Sequence, residues 1–162
     1  MISPIARLGA RALSKRAFVA PSTTLNTRFS PAARRFIVTK RYTEEHEWVE
    51  HDSETSLATM SITKHASASL GDVVFVELPA VGQEITAGDQ IGAVESVKAA
   101  ADIYAPISGI VEEVNTTLGT EPSLLNKSPE DKGWLCKIKA TNPAELEPLM
   151  NEESYKAFCE SA

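Results

Sequence analysis

Gly92-Ala93-Val94-Glu95-Ser96-Val97-Lys98-Ala99-Ala100-Ala101-Asp102 sets a single lysine among small and apolar residues. Strand-like runs lie on either side of it, Ile91 to Glu95 and Asp102 to Ala105, so Lys98 is expected at the tip of a tight hairpin. An amine held there is accessible and uncrowded, which is what a modifying enzyme needs. A lone lysine is ordinarily a solvated surface charge, and the residues around this one decide whether it is more than that.

Working outward, the flanking sequence reads as short strands with turn punctuation. Ala58, Met60 and Ile62 alternate with Leu57, Thr59 and Ser61, the pattern of a half-buried strand. Lys64 to Leu70 can form a short helix ended by Gly71. Asp72 to Leu78 is apolar on both alternating sets and is expected as a central strand. Turns are expected at Pro79 to Gly82 and Ala87 to Asp89, with further strands at 109 to 114 and 134 to 140. In the last of these, Trp134, Cys136 and Ile138 share one face and Lys137 and Lys139 the other. The end of the chain is expected to be helical, with Asn142 as cap, Pro143 in the first turn and Glu145 at capping-box spacing. A following helix carries Tyr155, Phe158 and Cys159 inward. Gly71 to Val76 faintly echoes Gly109 to Val114, which supports a quasi-symmetric small β fold.

Charge divides the chain in two. Residues 1–41 hold nine basic residues and no acidic one, whereas the rest holds seven lysines against 22 acids, a net charge of −15. Arg7, Arg11 and Lys15 recur on one side of a helix with Ile2, Ile5 and Leu13 opposite, and eight Ser/Thr accompany them. Residues 1–40 are therefore read as a mitochondrial transit peptide, cleaved at about 36–41, and residues 41–162 as one domain in the mitochondrial matrix. The acidic body repels phosphate backbones, so nucleic acid is not an expected partner. No apolar run approaches the roughly 20 residues of a membrane span, so no membrane association is expected.

Several catalytic signatures are nearly present and fail on spacing. His46-Glu47 and His51 stand five positions apart, not the four of a helical H-E-x-x-H zinc site. There is no G-x-G-x-x-G, P-loop or G-x-S-x-G. Two cysteines, Cys136 and Cys159, form no C-x-x-C, and the three histidines read as surface or cleft residues, so no metal is expected.

The segment around Lys98 resembles the lipoyl-attachment motif of the glycine cleavage system H proteins, and the resemblance covers about residues 41–160. It is carried by Tyr42-Thr43-Glu44-Glu45-His46-Glu47-Trp48-Val49, Leu70-Gly71-Asp72-Val73-Val74-Phe75-Val76-Glu77-Leu78-Pro79 and Gly92 to Ala100. Pro106-Ile107-Ser108-Gly109, Leu125-Asn126-Lys127-Ser128-Pro129 and Asp131-Lys132-Gly133-Trp134-Leu135 follow in the family's order and spacing. The resemblance implies a mainly β fold, a barrel-sandwich hybrid of two small antiparallel sheets like that of biotinyl and lipoyl carriers, with short helices including C-terminal ones. It implies lipoic acid amide-linked to Lys98, presented by an attachment hairpin of Glu95, Ser96, Val97, Ala99 and Gly109. It also implies a cleft that shelters the loaded arm, walled by Glu45, Glu47, His65 and Asp102.

The implied role is that of a non-catalytic, monomeric carrier. A pyridoxal-phosphate glycine decarboxylase loads it, and a tetrahydrofolate-dependent aminomethyltransferase unloads it. A dihydrolipoyl dehydrogenase using FAD and NAD reoxidises it, and lipoyl-attaching enzymes modify it beforehand. Net negative charge suits transient docking to several partners through long-range steering. Four other readings are weighed. A lipoyl domain of a 2-oxoacid dehydrogenase commonly has Asp where Val97 stands, and a biotin carrier has Met on both sides of the lysine, here Val97 and Ala99. A small enzyme would use Glu47, His65 and Asp102 for acid-base chemistry. A lipoyl-relay protein in protein lipoylation shares the motif and is left open by it.

Overall fold

The computed structural model describes residues 37–161. The expected leader helix and the rest of residues 1–36 lie outside that range. Within it, β1 (Val38–Tyr42), β2 (Glu47–Asp52) and β3 (Leu57–Ile62) lead into α1 (Lys64–Leu70). Then come β4 (Val73–Glu77), β5 (Glu84–Ile85), β6 (Gln90–Ser96), β7 (Ala100–Tyr104) and β8 (Gly109–Val114). A 3-10 turn at Thr116–Gly119, α2 (Leu124–Lys127), β9 (Cys136–Ala140), a second 3-10 turn at Pro143–Leu146 and α3 (Glu152–Ser161) complete it.

The strands form two antiparallel sheets, as expected for the fold class. One has six strands in the order β1-β2-β3-β9-β8-β5, and the other has three in the order β4-β6-β7. Val49, Met60, Val111 and Ile138 from the larger sheet and Val73, Val76, Val94 and Ile103 from the smaller one share a single buried core. Burying these side chains between the sheets supplies the main driving force for folding. No helix among the described residues is long and apolar enough to cross a membrane.

A second, aromatic cluster lies under α3. Tyr42 and Tyr155 stack with ring centroids 4.5 Å apart, and Trp48 is buried beside them with the Lys40 ammonium over its ring. Tyr42 and Met150 exchange both backbone hydrogen bonds, which ties the chain entering α3 to β1. The expected domain start at residue 41 thus falls inside β1, which pairs with β2 from Val38 onward.

Local readings are corrected in three places. The stretch 72–78 is an edge strand, not a central one: β4 pairs only with β6, and its register slips between Val73 and Phe75. That irregularity turns both Val74 and Phe75 outward, leaving them 54% and 52% exposed. β9 begins at Cys136, so Trp134 leaves the core face, Leu135 is buried in its place and the Lys137 ammonium lies over the indole. Asn142 makes no side-chain cap; its amide donates to Glu145, whose carboxylate also accepts from the Ser108 N–H and hydroxyl. With that carboxylate turned to the β7–β8 connection, the segment forms one 3-10 turn instead of an amphipathic helix. β1 and β2 have no counterpart among the expected strands, and β2 carries the buried acid Glu47 next to Trp48 and Val49.

Cys136 is fully buried, as its alternation with Ile138 predicts, and burial pushes its thiol up to about 12. A thiol held protonated at neutral pH is a packing group.

Candidate functional site

Lys98 lies in the turn between β6 and β7, whose last paired residues are Glu95 and Ala100. The Ser96 N–H donates to the Ala99 carbonyl at 2.7 Å. The Ser96 hydroxyl accepts from the backbone N–H groups of Lys98 (3.3 Å) and Ala99 (3.0 Å) and donates to the Ala99 carbonyl. This is the local side-chain-to-backbone bonding that favours serine at turns. Val97 ties the turn to the rest of the molecule, its N–H donating to the Asp72 carbonyl at 3.1 Å. The tip is therefore fixed on two sides while the Lys98 side chain is exposed.

Gly71 makes room for that side chain. Its backbone has φ +79, and a β-carbon there would lie 3.3 Å from Lys98 Cε. Glycine at the end of α1 thus meets both a backbone demand and a steric one. Around the lysine Val97 is 77% exposed, and Val74 and Phe75 face solvent on the adjoining strand. A free amine on a hydrogen-bonded, open turn with an apolar margin is accessible to a modifying enzyme.

Glu95, Ser96, Val97 and Ala99 all lie in this hairpin, as the resemblance implies. Gly109 does not. It stands in β8, paired with Ile85 and Ala140 in the larger sheet. A β-carbon there would sit 2.3 Å from the Lys139 carbonyl oxygen.

The four expected cleft residues fall in three places. Glu45 and Glu47 line one cavity of about 530 Å³, together with Thr43, Tyr104 and Glu145. Asp102 is exposed on β7, where it accepts from Gln90 Nε2 at 2.7 Å. Strand alternation puts it on the same face as Tyr104, one pleat nearer the hairpin tip. Five residues of chain, about 16 Å at strand spacing, separate Ala99 from Tyr104. His65 belongs to a different cavity under α3, with Tyr155 and Cys159, and its ring lies 4.6 Å from that of His46. Thr43, Tyr104 and Glu145 carried no cavity signal in sequence, since they come from three segments far apart in the chain.

Glu47 is only 1% exposed. One carboxylate oxygen accepts from the Tyr104 N–H at 3.1 Å and the other from the Thr43 hydroxyl. Burial raises its pKa above the ordinary carboxyl value, and those two hydrogen bonds act against the rise. An acid whose folded pKa is raised holds its proton more tightly when folded. Its favourable contribution is complete below the unfolded value, about 4.3, and is lost as pH rises through the folded value. Glu47→Gln, with its amide oxygen to Tyr104 and its amide nitrogen to Thr43, should gain stability relative to wild type between pH 4.5 and 7. Urea unfolding across that range reads the change, and parallel curves for the two proteins would show that Glu47 does not titrate there.

A family model described as "Glycine cleavage H-protein" matches residues 40–162. The mitochondrial glycine cleavage system H protein of Pisum sativum is 54% identical over 120 residues, which cover 74% of this chain and 72% of the relative. The glycine cleavage system H protein of Thermotoga maritima is 52% identical over 120 residues, covering 74% of this chain and 95% of the relative. A crystal structure of a glycine cleavage system H protein from Mycobacterium marinum superposes with a TM-score of 0.69 at 34% identity, covering 75% of this chain and 96% of that one.

Proposed function

The chain belongs to the glycine cleavage H-protein family, and from that premise we propose that Lys98 is the lysine through which it carries lipoate. The family assigns it a lipoyl-carrier role in glycine cleavage, in a mitochondrial setting shared with relatives such as that of Pisum sativum. Bound lipoate supplies a dithiolane that opens to accept a group and closes again on two-electron reoxidation. The observation that carries the assignment is the Lys98 turn: an exposed amine on a backbone fixed by Ser96 and Asp72.

The chain's own residues have passive work in this reading. Ser96 holds the amine outward, and Val74, Phe75 and Val97 give attaching enzymes an apolar landing around it. Glu45 and Glu47 line the 530 Å³ cavity that Tyr104 reaches from the hairpin's second strand, and carboxylates there hold a cationic amine by charge-assisted hydrogen bonds. None of them is a catalytic residue. The protein is a substrate passed in the matrix among a pyridoxal-phosphate glycine decarboxylase, a tetrahydrofolate-dependent aminomethyltransferase and a flavin dihydrolipoyl dehydrogenase. The −15 charge of residues 42–162 steers these encounters. The basic leader is removed ahead of Val38, which leaves β1 whole.

The intact mass and peptide map of protein isolated from mitochondria test this reading. A lipoyl adduct on Lys98 and a first residue at or before Val38 are expected, and an adduct on Lys64, Lys127 or another lysine overturns the assignment. Glu95 is exposed on the same hairpin. Glu95→Ala should slow lipoylation several-fold while changing stability by no more than about 0.5 kcal/mol. Equal lipoylation rates in the two proteins would reduce Glu95 to a surface carboxylate.

A further inference from the structure

Three side chains that the proposed function leaves unused meet under α3. His46 comes from the turn between β1 and β2, His65 from the first turn of α1 and Cys159 from the last turns of α3. One ring nitrogen of each histidine and the Cys159 sulfur all lie within 4.8 Å of one another. We propose that His46, His65 and Cys159 form a three-ligand site for a borderline-soft divalent ion, zinc, that clamps α3 to the start of the domain.

The donor set suits that ion. Zinc takes imidazole nitrogen at 2.0–2.1 Å and thiolate sulfur at about 2.3 Å, so tetrahedral donors stand about 3.5 Å apart. Closing from 4.8 Å takes a rotation of Cys159 and His65, which lie at the surface end of the cavity. Three protein ligands leave the fourth position open. The adjoining cavity is lined by Glu130, Glu152 and Glu160 and by Lys64 and Lys156, with Lys156 paired to Glu152 and Lys40 to Glu130.

The orientation of His46 is already set. Its Nδ1 lies 2.7 Å from the Tyr155 hydroxyl, which in turn lies 2.8 Å from the Thr63 hydroxyl. When Nδ1–H donates to Tyr155 and the phenol donates to Thr63, Nε2 keeps its lone pair for a metal. A ligating histidine normally has its other nitrogen engaged in this way. His46 is also one of two non-glycine residues with positive φ, at 69°, among the described residues. That conformation is uncommon for a residue with a β-carbon, and the His46 ring centroid lies 4.6 Å from that of His65. No spacing in the sequence announces the site, because its ligands stand 19 and 94 positions apart; that is why the histidines read as plain surface or cleft residues.

The test uses the full chain freed of metal with a chelator and then dialysed. Titration with cobalt(II) should give a thiolate charge-transfer band saturating at one equivalent, and zinc(II) should displace it. Cys159→Ser should abolish the band, because the remaining thiol, Cys136, is fully buried. His65→Ala, an exposed position, should weaken zinc binding at least a hundredfold. Tyr155→Phe keeps the ring stack and should weaken it about tenfold, the size expected for losing the partner of a ligand. Zinc should raise the melting temperature of wild type and not of Cys159→Ser, since only a folded site binds it. No saturable binding up to 100 μM zinc, or an unchanged zinc affinity in folded Cys159→Ser or His65→Ala, overturns the proposal.

Discussion

Lys98→Arg is expected to end lipoylation and, with it, glycine cleavage in a reconstituted system, while the variant folds as wild type does. The guanidinium stays protonated and delocalised, so it offers no amine for amide formation. The turn itself does not depend on the lysine side chain: its hydrogen bonds come from Ser96, Ala99 and the backbone N–H of residue 98. The side chain is exposed, so unfolding free energy should change by no more than about 0.5 kcal/mol. Mass spectrometry gives the adduct and urea unfolding the stability. A variant that still carries one lipoyl group places the attachment elsewhere. A variant that is unmodified and also strongly destabilised would mean that Lys98 supports the fold in some other way.

Gly109→Ala is expected to act in the opposite manner, on stability instead of modification. The added β-carbon would lie 2.3 Å from the Lys139 carbonyl oxygen and 2.6 Å from Ile138 Cγ2. The first neighbour is backbone in a paired strand, and the second belongs to a fully buried side chain. Neither yields without parting β8 from β9, so a loss of about 3 kcal/mol is expected. Lipoylation measured at a temperature where both proteins are folded should proceed at the wild-type rate. Wild-type stability with slow lipoylation would return Gly109 to the recognition role that the resemblance implied.

The contrast between these two positions marks how far the sequence could be read. Gly109 and Glu95 both belong to the family motif, and motif membership says that a residue is needed without saying for what. Register in the sheets separates them: Glu95 pairs with Ala100 at the mouth of the hairpin, and Gly109 with Ala140 in the other sheet. Similarly, Glu47 and Asp102 read as equivalent cleft acids, yet one is buried on β2 and the other exposed on β7. That difference raises the pKa of the first through loss of water.

The sequence by itself determined what depends on near neighbours: the alternation of β3 and of Cys136 with Ile138 in β9, the glycine that ends α1, and the small residues that make Lys98 a hairpin tip. These are short-range effects, written in runs of two to eight residues. The tertiary structure alone decided which faces meet water and which distant side chains meet each other. β4 has the composition of a central strand, and it becomes an edge because the smaller sheet ends there and a bulge turns Val74 and Phe75 outward. Glu145 has capping-box spacing, and it holds Ser108 instead because the β7–β8 connection arrives beside it. His46, His65, Tyr155 and Cys159 converge only because burying Tyr42, Trp48 and Tyr155 folds α3 back over β1. A hydrophobic contact has no sequence signature when its two halves lie more than a hundred residues apart, and the polar groups it draws together have none either.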